Sequence, residues 1–131
     1  MTTYAANPTS AYRSSAVLTA PSEQLIVMLY DGARRFLHQA AVAMRERRIA
    51  LAHAKLTRAE EILRHLRSTL DMEQGGQISE RLQAIYTFCL SHCSRARLQQ
   101  DADKLDEVSS LLAGLRESWA AIAPGAAVST A

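Results

Sequence analysis

Between Ile49 and Leu70 the apolar residues Ala52, Leu56, Ala59, Leu63, Leu66 and Leu70 recur four and three apart. That spacing puts all six on one stripe of an α-helix, whereas a strand would divide them between two faces. Most of the stability of such a helix comes from burying its stripe against others, so the chain has to supply partners. Three further segments do so. Leu25, Met28, Leu29, Gly32, Phe36 and Ala40 form a stripe on a first helix, followed by the second helix over about 49–70. Ile78, Leu82, Ile85, Cys89, Cys93 and Ala96 form the stripe of a third helix over about 78–100, with Tyr86 and Leu90 beside it. Leu105, Val108, Leu112, Leu115, Trp119 and Ile122 form a fourth, with Leu111 adjacent.

The breaks between these segments are short. Ser22 fits an N-cap of the first helix and Pro21 fits its first position equally well. The basic run Arg45-Glu46-Arg47-Arg48 ends that helix near 44–47 and reads as a solvated turn; no aromatic interleaving supports a phosphate-binding patch. Gln74-Gly75-Gly76 is expected to stop the second helix, because glycine takes the left-handed conformation of a C-terminal cap. Asp101, Asp103, Asp106 and Glu107 suit the N-terminus of the fourth helix, and Pro124-Gly125 ends it. Glu60 and Arg64 have the spacing of a supporting pair on the side away from the stripe. Gly32, inside a helix at a cost of about 1 kcal/mol relative to alanine, marks the close approach of a neighbour. Short connections make sequential helices antiparallel. The expected fold is therefore all-α: an antiparallel up-down four-helix bundle over 21–122. A flexible N-terminal segment, 1–20, is able to cap it, and 123–131 forms a disordered tail.

Composition narrows the functional classes. The chain has 131 residues, 48% of them hydrophobic and only 5% aromatic, with a net charge of +2. That balance gives no pull towards nucleic acid. No run of about 18 apolar residues points to membrane insertion. The two cysteines, without a secretory signal, point to a reducing compartment and a cytoplasmic (cytosolic) location.

Candidate chemical sites are few. Cys89-Leu90-Ser91-His92-Cys93 places two thiols one helical turn apart beside a histidine, but a structural zinc needs four ligands and His38, His53 and His65 show no paired spacing. Both cysteines also lie on the apolar stripe, where they act as small hydrophobes. Asp101-Ala102-Asp103 begins like a calcium loop but lacks glycine at the sixth position and has Leu112 where the closing glutamate belongs. No triad or isolated acid–base pair is evident, so neither catalytic residues, cofactor nor metal is expected, and the protein is not read as an enzyme.

Five stretches resemble one known family in order and spacing. They are Tyr12 with Val17-Leu18-Thr19-Ala20; Glu23-Gln24-Leu25-Ile26-Val27-Met28-Leu29-Tyr30-Asp31-Gly32-Ala33; Ser68 to Gly76; Leu82-Gln83-Ala84-Ile85-Tyr86; and Val108 to Trp119. Together they look like a flagellar secretion chaperone of the FliS type, although Pro21-Ser22 inverts the order common there. The resemblance implies a four-helix bundle that binds the disordered C-terminal segment of flagellin. It would prevent premature polymerisation and keep flagellin competent for flagellar type III export. It also brings the flagellar export gate, and flagellar regulators such as an anti-sigma factor, within the range of partners.

The helices carry more apolar surface than one stripe each requires. A wide core seam, a homodimer face of the free protein, or a groove for an apolar partner segment would each use it. With the resemblance, the groove leads, and Ile49, Ile62, Leu66, Tyr86, Leu90, Leu111 and Leu112 are its candidate lining. Tyr12 and Val17 are candidates for an N-terminal cap over the same surface. A regulatory adaptor and a homodimeric structural bundle are the alternative functions.

Overall fold

The computed structural model describes residues 22–122. Four helices follow one another: α1 (Ser22–Arg45), α2 (Ile49–Ser68), α3 (Met72–Gln99) and α4 (Ala102–Ile122). Each packs beside the next, and α4 returns to pack beside α1, which places α1 and α3 on a diagonal. This is the all-α up-down bundle the periodicity predicts. Helix α1 lies close against α2 and α4, while α3 sits less closely against its two neighbours. The segments 1–20 and 123–131, with Tyr12, Val17 and Pro124-Gly125, lie outside the described residues.

The turns are built by backbone capping. After α1 the chain passes through Arg47 in the left-handed region (φ 62°), and the Arg48 N–H donates to the Ala43 carbonyl at 2.8 Å. Gln100 (φ 52°) closes α3 in the same way, its N–H bonding the Ala96 carbonyl. The Asp101 carboxylate then accepts from the Asp103 N–H at 3.1 Å and opens α4, the capping role its acidity suggested.

The α2–α3 junction departs from expectation. Helix α2 ends at Ser68, and Asp71 caps α3 by accepting from the Glu73 and Gln74 N–H groups. Gly75 and Gly76 thus lie inside α3, not in a connection between helices. At Gly76 (φ 52°, ψ −125°) the helix kinks after its first turn. A Cβ on Gly75 would fall 2.8 Å from the Ser79 Cβ, because the Ser79 hydroxyl folds over this position to donate to the Asp71 carbonyl at 2.9 Å.

The core face of α1 is rotated from the predicted stripe, and that of α3 differs from it at its start. On α1 the buried residues are Tyr30, Gly32, Ala33, Leu37, Ala40, Ala41, Ala43 and Met44, while Met28 is exposed and Phe36 half-buried. On α3 Tyr86 replaces Ile78 in the core, with Leu82, Cys89, Cys93 and Ala96 as predicted. Tyr86, expected beside its stripe, and Tyr30, outside the predicted stripe of α1, both turn inwards, where each hydroxyl finds a buried partner. Helix α2 keeps its predicted seam from Ala52 to Leu66. Glu60 is not on its outer side with Arg64; it is buried and paired with Arg97 of α3.

Gly32 is buried, but a Cβ there would lie 3.4 Å from the Ile62 Cδ1, an ordinary contact. The bundle therefore has room for alanine at this position. Gly32→Ala is expected to raise stability by up to about 1 kcal/mol in urea unfolding. Gly75→Ala is expected to lower it by about 1–3 kcal/mol, because Ser79 must give up its bond.

Candidate functional site

Polar contacts tie helix α3 to each of the other three helices. On the diagonal, the Tyr30 and Tyr86 hydroxyls are 2.6 Å apart, and the Trp119 Nε1–H of α4 donates to the Tyr30 oxygen at 3.1 Å. Burial raises the pKa of both tyrosines above the ordinary value, so they remain neutral donors and acceptors. Towards α2, Arg97 grips Glu60 with both terminal nitrogens at 3.0 and 2.6 Å. Towards α4, the His92 Nε2 lies 2.6 Å from the Glu107 Oε1, and the Phe88 ring stacks on the imidazole at 5.0 Å.

The Cys-Leu-Ser-His-Cys segment is core wall on one side and interhelical tie on the other. Cys89 and Cys93 are free, fully buried thiols, and burial pushes their pKa up to about 11 and about 12. Thiols held protonated are poor nucleophiles and poor metal ligands. His92 is turned towards Glu107.

The seven predicted groove residues do not share one surface. Leu66, Tyr86 and Leu112 are fully buried and belong to the core, so they cannot line an open groove. Leu66 and Leu112 follow the core stripes of their helices and Tyr86 lies beside its own, and periodicity alone could not separate wall from groove. Ile62 is half-buried beside Gly32 on the α1 side of α2, and Leu90 is half-buried on the α2 side of α3. Ile49 is 61% exposed at the α1–α2 turn, and Leu111 is 36% exposed on α4.

Leu111 belongs to a different apolar row. The His92–Glu107 pair sets the level of α3 against antiparallel α4. One turn from it, Phe88 on α3 and Leu111 on α4 come to the same level, both exposed on the side facing the partner helix. Further turns bring Ile85 and then Ile78 on α3, and Leu115 on α4. Phe88 is 49% and Ile78 68% exposed. The α3–α4 seam thus carries a line of large apolar side chains over water, walled below by Val108 and Leu112. Phe88 was missed because it falls off the core stripe. Its signal was its position one turn before His92, which acquires meaning only once Glu107 is known to face that histidine. Among the described residues no helix is long and apolar enough to cross a membrane.

Known proteins resemble this chain over most of its length. The family model described as flagellar protein FliS matches residues 5–126. A flagellar secretion chaperone FliS of Salmonella typhimurium is 34% identical over 94% of this chain and 95% of its own length. Its counterpart in Campylobacter jejuni is 34% identical over 84% of this chain and 86% of its own. One in Bacillus subtilis is 28% identical over 86% and 84%.

The buried thiols give a pH signature. Their folded pKa values lie above the ordinary value of about 9, so the folded state holds these protons more tightly than the unfolded state. Their contribution to stability is complete below about pH 8.5 and is lost as pH rises through 11–12. The urea midpoint should fall steadily above pH 9, and a thiol reagent at pH 8 should label both cysteines only after unfolding.

Proposed function

The chain belongs to the FliS family of flagellar secretion chaperones, and from that premise we propose that it binds the disordered C-terminal segment of flagellin along the α3–α4 seam. The observation that carries this reading is the line of Ile78, Phe88 and Leu111, large apolar side chains exposed on a folded bundle. Water is a poor environment for such a line, and each large side chain fully covered contributes about 1.5–3 kcal/mol. An apolar segment laid into the seam covers several at once, which is helix-in-groove recognition. Ordering a free segment costs entropy, so the interface has to be long, and the seam runs along α3 from Ile78 to His92.

The protein would act in the cytoplasm by binding alone, with no catalytic step. Covering the flagellin segment keeps it from polymerising and leaves it unfolded for export, with release at the export gate. Tyr12 and Val17 would cover part of the same surface in the free protein and give way to flagellin.

The test is calorimetric titration with the C-terminal ~40 residues of flagellin from the same genome. One-to-one binding with a strongly negative heat-capacity change is expected. Phe88→Asp should weaken it about tenfold or more without unfolding the bundle, since the side chain is half-exposed. Undiminished binding by a folded Phe88→Asp variant would remove the seam from the interface.

A further inference from the structure

At the end of the bundle where α1 turns into α2 and α3 into α4, a cleft of about 570 Å³ opens between α2 and the end of α3. Its floor is apolar, formed by Met44, Ala52 and Leu56, with the exposed Ile49 on its rim. Its polar lining is His53, Arg97 and Gln100, of which Arg97 carries the fixed positive charge. Arg97 spends its Nε–H on the His53 Nδ1 at 3.1 Å and one N–H from each terminal nitrogen on Glu60. A guanidinium has five N–H donors, so two are left over, and 28% of the side chain is exposed. Arg47 shares an adjoining hollow with Ile49 and Gln100 and makes no ion pair among the described residues. No carboxylate lines the cleft; Glu60 lies behind Arg97 and is already bound by it. The residues that turn the chain on either side, Arg47 and Gln100, are the two non-glycine residues with positive φ among those described. The cleft is thus framed by the turn backbone that sets its shape.

We propose that this cleft seats the end of a bound polypeptide. A large apolar side chain at or next to the last residue lies on the floor, and the terminal carboxylate meets the remaining N–H groups of Arg97 and the Arg47 guanidinium. A segment passing through brings a negative charge to those donors only where it carries an Asp or Glu, whereas a chain end always brings one, and a small anion has no use for the apolar floor. A chain end satisfies both. The inference rests on the proposed binding of flagellin's C-terminal segment and assigns the end of that segment a seat. From Phe88 in the seam to Gln100 at the cleft is about 18 Å along the helix, and the segment has also to cross from the α4 side to the α2 side at the end of α3, a path that several extended residues can cover.

The experiment is calorimetric titration of the full chain with two forms of the ~40-residue flagellin C-terminal peptide, one ending in a free carboxylate and one amidated. The amide is expected to bind about tenfold more weakly, the loss of one charge-assisted contact. Ile49→Glu, at an exposed position, should weaken the acid form and abolish the difference between the two. Phe88→Asp should weaken both and preserve their ratio. Equal affinity of the wild-type protein for acid and amide would overturn the cleft as a seat and leave the seam untouched. Failure of both peptides to bind would overturn the segment reading and this inference with it. A dimer of the free protein that Ile49→Glu dissolves would give the cleft to a second copy, and would also overturn it.

Discussion

A hydrogen bond between two tyrosine hydroxyls spans the diagonal of the bundle, and the arrangement of the helices depends on it. Tyr30 and Tyr86 lie in the core at 0% and 1% exposure, and each hydroxyl would be stranded without the other or Trp119. A buried polar atom without a partner costs about 1–3 kcal/mol, so other rotations of α1 or α3 are penalised more sharply than an all-aliphatic core would penalise them. The bond fixes which face of each helix turns inwards. That choice leaves Met28 and Ile78 outside.

The flanking ties complete the pattern. Glu60–Arg97 holds α3 to α2, and His92–Glu107 holds it to α4. Polar ties set register with less side-chain interdigitation than the alanine-rich contacts of α1, where Ala33, Ala40 and Ala41 let helices approach closely. The seam beside α3 consequently keeps its apolar residues at the surface. Helix α3 thus contributes one wall of the core and, along its α4 side, an exposed apolar margin.

The bundle was legible in the sequence because the Ala52–Leu66 seam and its three partners share one period. The turns were legible where chemistry is local, as in Asp101 capping α4. The face of α1 and the inward turn of Tyr86 on α3 were not, because nothing local marks a tyrosine as core until its hydroxyl's partner is known, and that partner lies 56 residues away. The glycine pair misled for a similar reason. Gly75 is small to admit Ser79, and Gly76 bends a helix already capped by Asp71. Of the predicted groove, Leu111 alone sits on the α3–α4 seam, and Ile49 sits at the cleft instead. The resemblance located the family through residue identities, which the helical period cannot encode.

Trp119 is the one tryptophan in the chain, and its indole N–H ends on the Tyr30 hydroxyl at the edge of the core. Indole emission responds to the polarity around the ring and to what its N–H bonds. The unlabelled protein therefore contains its own optical gauge of the α1–α4 junction, on the helix that forms one bank of the seam. Shifts of α4 against α1 register as colour, on the timescale of the mixing device used.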